Sequence, residues 1–513
     1  MSTRVSESLR KLVQGTAFVA VGNLLGMGFG FATRSISARY LGPDEYGLIV
    51  LGLTVLNVVS MVSLLGLTQG VSRQLPRVER ESSLFRSAVQ VSLGLSLGIS
   101  IVIVAFSTDI ATILSSTDFV PVLVLFALVI PLWTVTRVVI ATFRGKSDAT
   151  ARVAIQNLSR QGLALLFVTA AIGFGVGIDE IAVGFATAVG ISFVGGLLLL
   201  RTRYPDLLDL RSFGRFDTDQ IASLISFSVP LMISGTIWLL LRQSDTFLVA
   251  YFLTTGELGV YDAAFLLGQL VTVPLSASAF LFLPIFSELH AENGSNEMAE
   301  FYKLVTKWIS VMTLPVALGF ITFPGTLLEL FFGDGFGAGS TVLIVLTGGF
   351  LTSAVLGLNG ISLVAAGFTR LVMAGNLIAF VLNIGLNVAL IPRLGIVGAA
   401  TASFFGYVVV NLFFTYFLYT RLGFHPLSPP LVRSFAAIVA CYGIGWFVVG
   451  RHLVGSPVAV LPFLGVVAVF QLAVIPVVGG VQPEDTDVIE QLDEKLPVNL
   501  GPLVTRLDGF VED

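Results

Sequence analysis

Asp44-Glu45-Tyr46-Gly47-Leu48-Ile49 stands just after the first long apolar stretch, and 212 positions later Gly256-Glu257-Leu258-Gly259-Val260-Tyr261 stands at the same point relative to another. Ala186-Thr187-Ala188 and Ala400-Thr401-Ala402 recur with a shift of 214, both near the start of an apolar span. Each match alone is short enough to arise by chance. Two matches at nearly one offset, in one hydropathic context, point to an internal duplication. Duplicated helical bundles that enclose a site at their mutual interface are a transporter design.

Composition places this duplication in a membrane. Of 513 residues, 55% are hydrophobic and only 12% charged, with a mean hydropathy of +0.93. A soluble domain carries about 25% charged residues, so this chain cannot cover itself with a water-compatible surface and reads as an all-α integral membrane protein. The net charge of -4 gives no sign of nucleic-acid binding. The single cysteine, Cys441, lies in an apolar run and reads as a small packing residue; one thiol makes no intramolecular disulfide. Arg10-Lys11 ahead of an apolar stretch resembles a signal-peptide start. The stretch from Val13 to Thr33 has membrane-spanning length, however, and no clear cleavage site follows, so a retained first helix is expected.

Apolar windows long enough for one helical span number about fourteen: 13–33, 46–65, 87–106, 120–142, 153–175, 181–200, 221–241, 258–283, 304–324, 341–366, 371–391, 396–418, 434–450 and 457–478. Helices are required because a bilayer core cannot satisfy open backbone groups, and these windows lack the alternation of barrel strands. Gly22, Gly26 and Gly30, every fourth residue of the first window, allow a close helix approach. Placing alternate loops with the two termini collects 22 of the 28 basic residues on one side. The positive-inside rule makes that side cytoplasmic, in the cell membrane, and favours an even number of spans. The expected division is a six-helix lobe over 1–200, a cytoplasmic linker over 201–220, a second six-helix lobe over 221–420, two extra helices over 421–480 and an acidic cytoplasmic tail over 481–513.

At this point the residues resemble a known family. Ala38-Arg39-Tyr40-Leu41-Gly42-Pro43-Asp44-Glu45-Tyr46-Gly47 is similar to the loop after the first helix in oligosaccharide flippases of the polysaccharide-transporter (Wzx-type) family. Gly256-Glu257-Leu258-Gly259-Val260-Tyr261-Asp262-Ala263-Ala264 resembles its second-half counterpart, and Ile391-Pro392-Arg393-Leu394-Gly395-Ile396-Val397-Gly398-Ala399-Ala400 resembles the start of the twelfth helix. The family belongs with the drug-extruding MATE transporters and lipid II flippases, so the resemblance implies two six-helix lobes, a central cavity and alternating access. The implied activity is translocation of a lipid-linked oligosaccharide, carried on polyprenyl (undecaprenyl or dolichol) phosphate, from the inner to the outer leaflet. The implied partners are that substrate, membrane lipids and glycan assembly enzymes. Only five of the 28 basic residues are lysine, and the tail is acidic. That pattern suits a salt-adapted prokaryote with a dolichol-type carrier.

Read as physics alone, Leu41-Gly42-Pro43 before Asp44-Glu45 is a helix stop and a capped restart. Tyr46 and Tyr261 are expected at interfacial depth, where aromatic rings are favoured. Charges within spans are the best candidates for transport, since each costs about 2.5–3.5 kcal/mol or more at a helix centre. Asn23, Met27, Gly30 and Arg34 share one helical face. Arg34 either binds an anionic sugar phosphate through its planar fork or snorkels to headgroups. Arg242 and Asp245, at i and i+3, form a cavity site, a gate or a neutralised helix end. Arg160 with Gln156, Asn157 and Gln161 makes the fifth window polar, for substrate access or for inner phosphates. Asn376, Asn383 and Asn387 share a face and either bind sugar hydroxyls or glue helices together. Asp245 and Asp262 are the candidates for coupling to Na+ or a proton. Chemistry that needs a cofactor is not expected: there is no Walker motif, and His290, His425 and His452 show no metal-ligand spacing. The alternatives are a MATE-like ion-coupled drug exporter, which a strongly acidic cavity would favour, and a membrane glycan polymerase or ligase, which would need a sizeable external loop.

Overall fold

The computed structural model describes residues 3–114, 117–208, 217–292, 294–453 and 456–477, and no strand occurs among them. The first half is built from α1 (Thr3–Leu64), α2 (Leu67–Gln74), α3 (Glu81–Ala105), α4 (Ser107–Ile113), α5 (Val120–Gly145), α6 (Ala149–Val153), α7 (Arg160–Gly173) and α8 (Ile178–Arg203). The second half follows as α9 (Thr218–Phe252), α10 (Thr255–Gln269), α11 (Val273–Ala291), α12 (Ser295–Thr322), α13 (Pro324–Phe332), α14 (Ser340–Leu356), α15 (Leu358–Ala365), α16 (Thr369–Leu394) and α17 (Ile396–Leu422). Two more, α18 (Pro429–Val448) and α19 (Pro457–Val477), lean on α12. The expected acidic tail over 481–513 and the middle of the expected linker, 209–216, lie outside the described residues.

Eleven described helices are long and apolar enough to cross a membrane, where the windows suggested about fourteen. The windows differ from the helices where the backbone bends. Windows 13–33 and 46–65 fall in one helix, α1, bent at Gly42 (φ 75°) ahead of Pro43. Only glycine takes that conformation cheaply, and proline restarts the helix. The fifth window becomes α6 and α7 joined by a π-helical turn, Ala154–Ser159. The eighth is broken at Leu270–Thr272 between α10 and α11.

The duplicated motif packs against itself. A methyl built on Gly47 would lie 1.9 Å from the Thr255 carbonyl oxygen, and one on Gly259 would lie 2.2 Å from the Pro43 carbonyl oxygen. Gly47 and Gly259 are 212 positions apart, and so are Pro43 and Thr255. The contact is therefore reciprocal, as in a two-fold interface, with the bent restart of α1 crossing α10. A second small-residue seam joins α1 to the fifth window: Gly22 faces Val153, Gly26 faces Asn157 and Gly30 faces Gln161. Where lipid is as apolar as leucine, such close backbone approach is what selects helix partners. At its first end α9 packs on the first half of the chain, with Ser228 against Gly70 and Leu224 among Leu67, Val71 and Leu84. Asp217 caps α9 and accepts a hydrogen bond from Ser83 of α3 at 3.3 Å. The rest of α9 packs chiefly on α16.

Candidate functional site

A cavity of about 830 Å³ lies between α1, α5, α7 and α8 on one side and α9, α10 and α11 on the other. Asn23, Met27, Gly30 and Arg34 all line it, so the face read from the spacing of α1 is the face turned inward. The π-helical turn holds one more residue than an α-turn would, and such turns often sit at functional positions. Gln156, Asn157, Arg160 and Gln161, in and just after this turn, all border the cavity. Asn157 donates to the Asn23 side-chain oxygen at 2.7 Å, which ties the two polar faces together.

Among the described residues, the charged groups lining the cavity are Arg34, Arg152, Arg160 and Asp262. Three guanidinium groups against one carboxylate make an anion-attracting chamber. The Arg160 guanidinium lies 4.7 Å from the centroid of the Trp133 ring, and its buried Nε has no hydrogen-bond partner among the described residues. Arg152 donates to Gln156 at 3.4 Å. Arg34 donates to Asp262 Oδ1 at 3.2 Å, while the Tyr46 hydroxyl donates to Asp262 Oδ2 at 2.7 Å. The Arg34 Nε is likewise buried without a partner among the described residues. Asn57, Gln243 and Gln269 add amide dipoles that suit sugar hydroxyls.

The remaining sequence candidates lie elsewhere. Asn383 and Asn387 are buried on the face of α16 that meets α9 and α17, and Asn376 is partly exposed two turns away; none of the three borders the cavity. Asn387 donates to Asp245 Oδ1 at 2.7 Å, and Asn383 accepts from Ser244 at 2.9 Å. Tyr261 donates to Asp245 Oδ2 at 2.8 Å, and the Ser403 hydroxyl donates to the same oxygen. Among the described residues, Asp245 is thus a buried carboxylate whose hydrogen-bond partners are all neutral donors. The side chain of Arg242 lies outside the described residues; among the described ones, Asp245 is held by the Tyr261 and Ser403 hydroxyls and the Asn387 amide.

Tyr46 and Tyr261, expected as interfacial aromatics, are instead 0% and 2% exposed, each with its hydroxyl on a carboxylate. The sequence offered a hint here, since Tyr261 and Asp262 are consecutive residues in the repeated motif. Successive residues on a helix point about 100° apart. One therefore serves Asp245 within the second half and the other reaches Arg34 and Tyr46 in the first. Trp133, the platform for Arg160, had no distinguishing signal in an apolar window.

The chain matches the family model described as polysaccharide biosynthesis protein over residues 36–338. It is 24% identical over 417 residues to a probable low-salt glycan biosynthesis flippase of Haloferax volcanii, a match covering 79% of this chain and 83% of that protein. It is 25% identical over 336 residues to a succinoglycan biosynthesis transport protein of Rhizobium meliloti, covering 63% of this chain and 64% of that one. Among solved structures, a lipid II flippase in an inward closed conformation superposes with a TM-score of 0.65 at 14% identity, over 89% of this chain and 98% of that chain. An inward-facing multidrug resistance MATE family transporter superposes with a TM-score of 0.62 at 14% identity, over 82% and 95%. Likeness at such identity bears on the fold alone.

Proposed function

The chain belongs to the polysaccharide biosynthesis protein family, and from that premise we propose that it is a flippase carrying a polyprenyl phosphate-linked oligosaccharide from the inner to the outer leaflet. The observation that carries this reading is the charge of the cavity: three arginines and one aspartate, set among amides. Arginine stays charged when desolvated and grips phosphate with a two-pronged donor fork. The amides and Thr54 and Thr246 supply donors and acceptors for sugar hydroxyls. The lipid tail stays in the bilayer, and the two six-helix lobes, 1–200 and 221–420, reorient about the cavity. Both termini lie in the cytoplasm, where most basic residues gather. Asp245, with its ring of neutral donors, is the group we assign to coupling by Na+ or a proton.

A drug exporter of organic cations needs an excess of acid in its cavity, and this lining has the reverse balance. The test is deletion of the gene in its host, with lipid-linked and surface glycans compared by mass spectrometry. Accumulation of complete lipid-linked oligosaccharide with loss of the surface glycan is the expected result. Unchanged pools would remove the flippase reading and move ion-coupled export ahead of it.

A further inference from the structure

The carboxylate that faces the cavity arginines also bridges the two halves of the chain. Asp262 sits on α10, three residues beyond Gly259, and both its oxygens are taken by residues of α1. Arg34 holds Oδ1 from before the bend at Gly42, and Tyr46 holds Oδ2 from after it. This cluster lies one turn from the reciprocal Gly47 and Gly259 crossing, where the two helices meet too closely to admit even a methyl group. On the same limb of α1 as Arg34, before the bend, Ser35 and Arg39 donate to backbone carbonyls at the end of α13, from Glu329 to Phe331. Beside Arg34, α1 and α10 are thus joined by a steric contact and a polar one.

The polar contact is built to be replaced. Arg34 spends one donor on Asp262, through a single nitrogen, and its Nε meets no partner among the described residues. A guanidinium offers five donors in a fork that matches two phosphate oxygens at once. A phosphate in the cavity therefore competes on favourable terms for Arg34. Asp262 then loses its cation but keeps the Tyr46 hydroxyl, a neutral partner of lesser strength.

We propose that the Arg34–Asp262–Tyr46 cluster is an interlobe latch on the outer gate, which the phosphate of the substrate opens by drawing Arg34 away from Asp262. The inference rests on the flippase reading for its direction, since that reading places the Arg34 end outward. Its physical consequence is that the empty transporter stays shut on the outside. A ligand shifts such an equilibrium only through a difference in affinity for the two states. Here the difference is an Arg34 freed to make two bonds instead of one.

The test uses the full chain in lipid nanodiscs with Cys441→Ser as background. Spin labels at Tyr40→Cys and Thr254→Cys, both exposed positions flanking the crossing, report the gap by electron-electron dipolar spectroscopy. The probe is geranylgeranyl diphosphate. The expected result is one short distance without probe and a second, longer population with it. Asp262→Asn should show the longer population without probe, and the exchanged pair Arg34→Asp with Asp262→Arg should restore the short one. A distance that stays short in Asp262→Asn overturns the latch, as does a wild-type distance that ignores the diphosphate. If the exchanged pair fails to close the gap, the longer distance in Asp262→Asn reflects disturbed packing, and the latch is likewise rejected. These outcomes separate from those of the gene deletion. Glycan pools typical of a flippase with an unresponsive distance reject the latch alone; a responsive distance with unchanged pools rejects the glycan substrate and leaves an anion-opened gate.

Discussion

At the scale of single residues, the transport reading depends on which arginines are free to bind. Arg34 is engaged by Asp262, whereas Arg160 rests on an aromatic face with its Nε unpaired. Hydrogen bonds to charged groups are worth about 1.5–3 kcal/mol, and each 1.4 kcal/mol is about tenfold in affinity. Arg160→Ala should therefore weaken binding of a short-chain polyprenyl diphosphate by roughly 10- to 100-fold, measured by titration calorimetry on protein in nanodiscs. Arg160→Lys should recover only part of the loss, because an ammonium keeps the charge but not the fork. Full recovery by lysine would mean that the residue acts as a point charge. Arg34, at the end of the first apolar window, and Arg160, inside the fifth, stood out as candidates in the sequence because a charge at membrane depth has few structural excuses. The engagement of Asn383 and Asn387 around Asp245 was not, because an amide on an apolar helix serves a ligand or a neighbouring helix equally well.

At the scale of helices, two contacts admit direct tests. Gly47→Ala puts a methyl group against the Thr255 backbone, and neither helix can yield without moving the crossing. Overpacking of this kind costs about 1–3 kcal/mol, so the variant should melt at a lower temperature than wild type in a thermal-shift assay. Gly28→Ala in the same helix, where a methyl meets open space, should not. The second contact caps α6 outside the spans. Asp148 accepts from the Ala151 N–H at 3.0 Å and from Arg203 at 2.7 Å. Burial pushes its pKa up, but these hydrogen bonds and the Arg203 charge outweigh it and hold the carboxyl below its ordinary value of 3.8. A lowered folded pKa means that Asp148 contributes stability above the unfolded value and loses it as pH falls through the folded one. The stability difference between wild type and Asp148→Asn should be full at neutral pH and shrink below about pH 4, read from melting curves of the two proteins. A difference that grows on acidification would contradict the sign.

At the scale of the whole molecule, the distribution of basic residues makes a statement about sidedness. With the termini inside, Thr202 faces the cytoplasm and Tyr40 the exterior, and both are exposed. In the Cys441→Ser background, a cysteine at Tyr40 should react with an impermeant maleimide in intact cells. A cysteine at Thr202 should react only after permeabilisation. The reverse pattern would invert the transporter, and with it the direction of the proposed gate. The same experiment bears on the duplication, because two even-numbered repeats share one orientation and relate by an axis along the membrane normal.

The membrane class, the helical state, the polar face of α1 and the family were readable from the chain alone. These follow from local or additive quantities: apolar length against bilayer thickness, periodicity along a helix, charge counted by loop, and motifs read in order. The tertiary structure decided which helices meet. It brought the two copies of the motif into reciprocal contact and carried Asp262 to Arg34 across 228 positions. It also turned Tyr46 from an expected interface residue into a buried ligand of that carboxylate. Lipid gives helices little hydrophobic reason to prefer one partner over another. The choice falls to close backbone fit at glycines and to a few hydrogen bonds between distant residues, and neither is written in any single window of the chain.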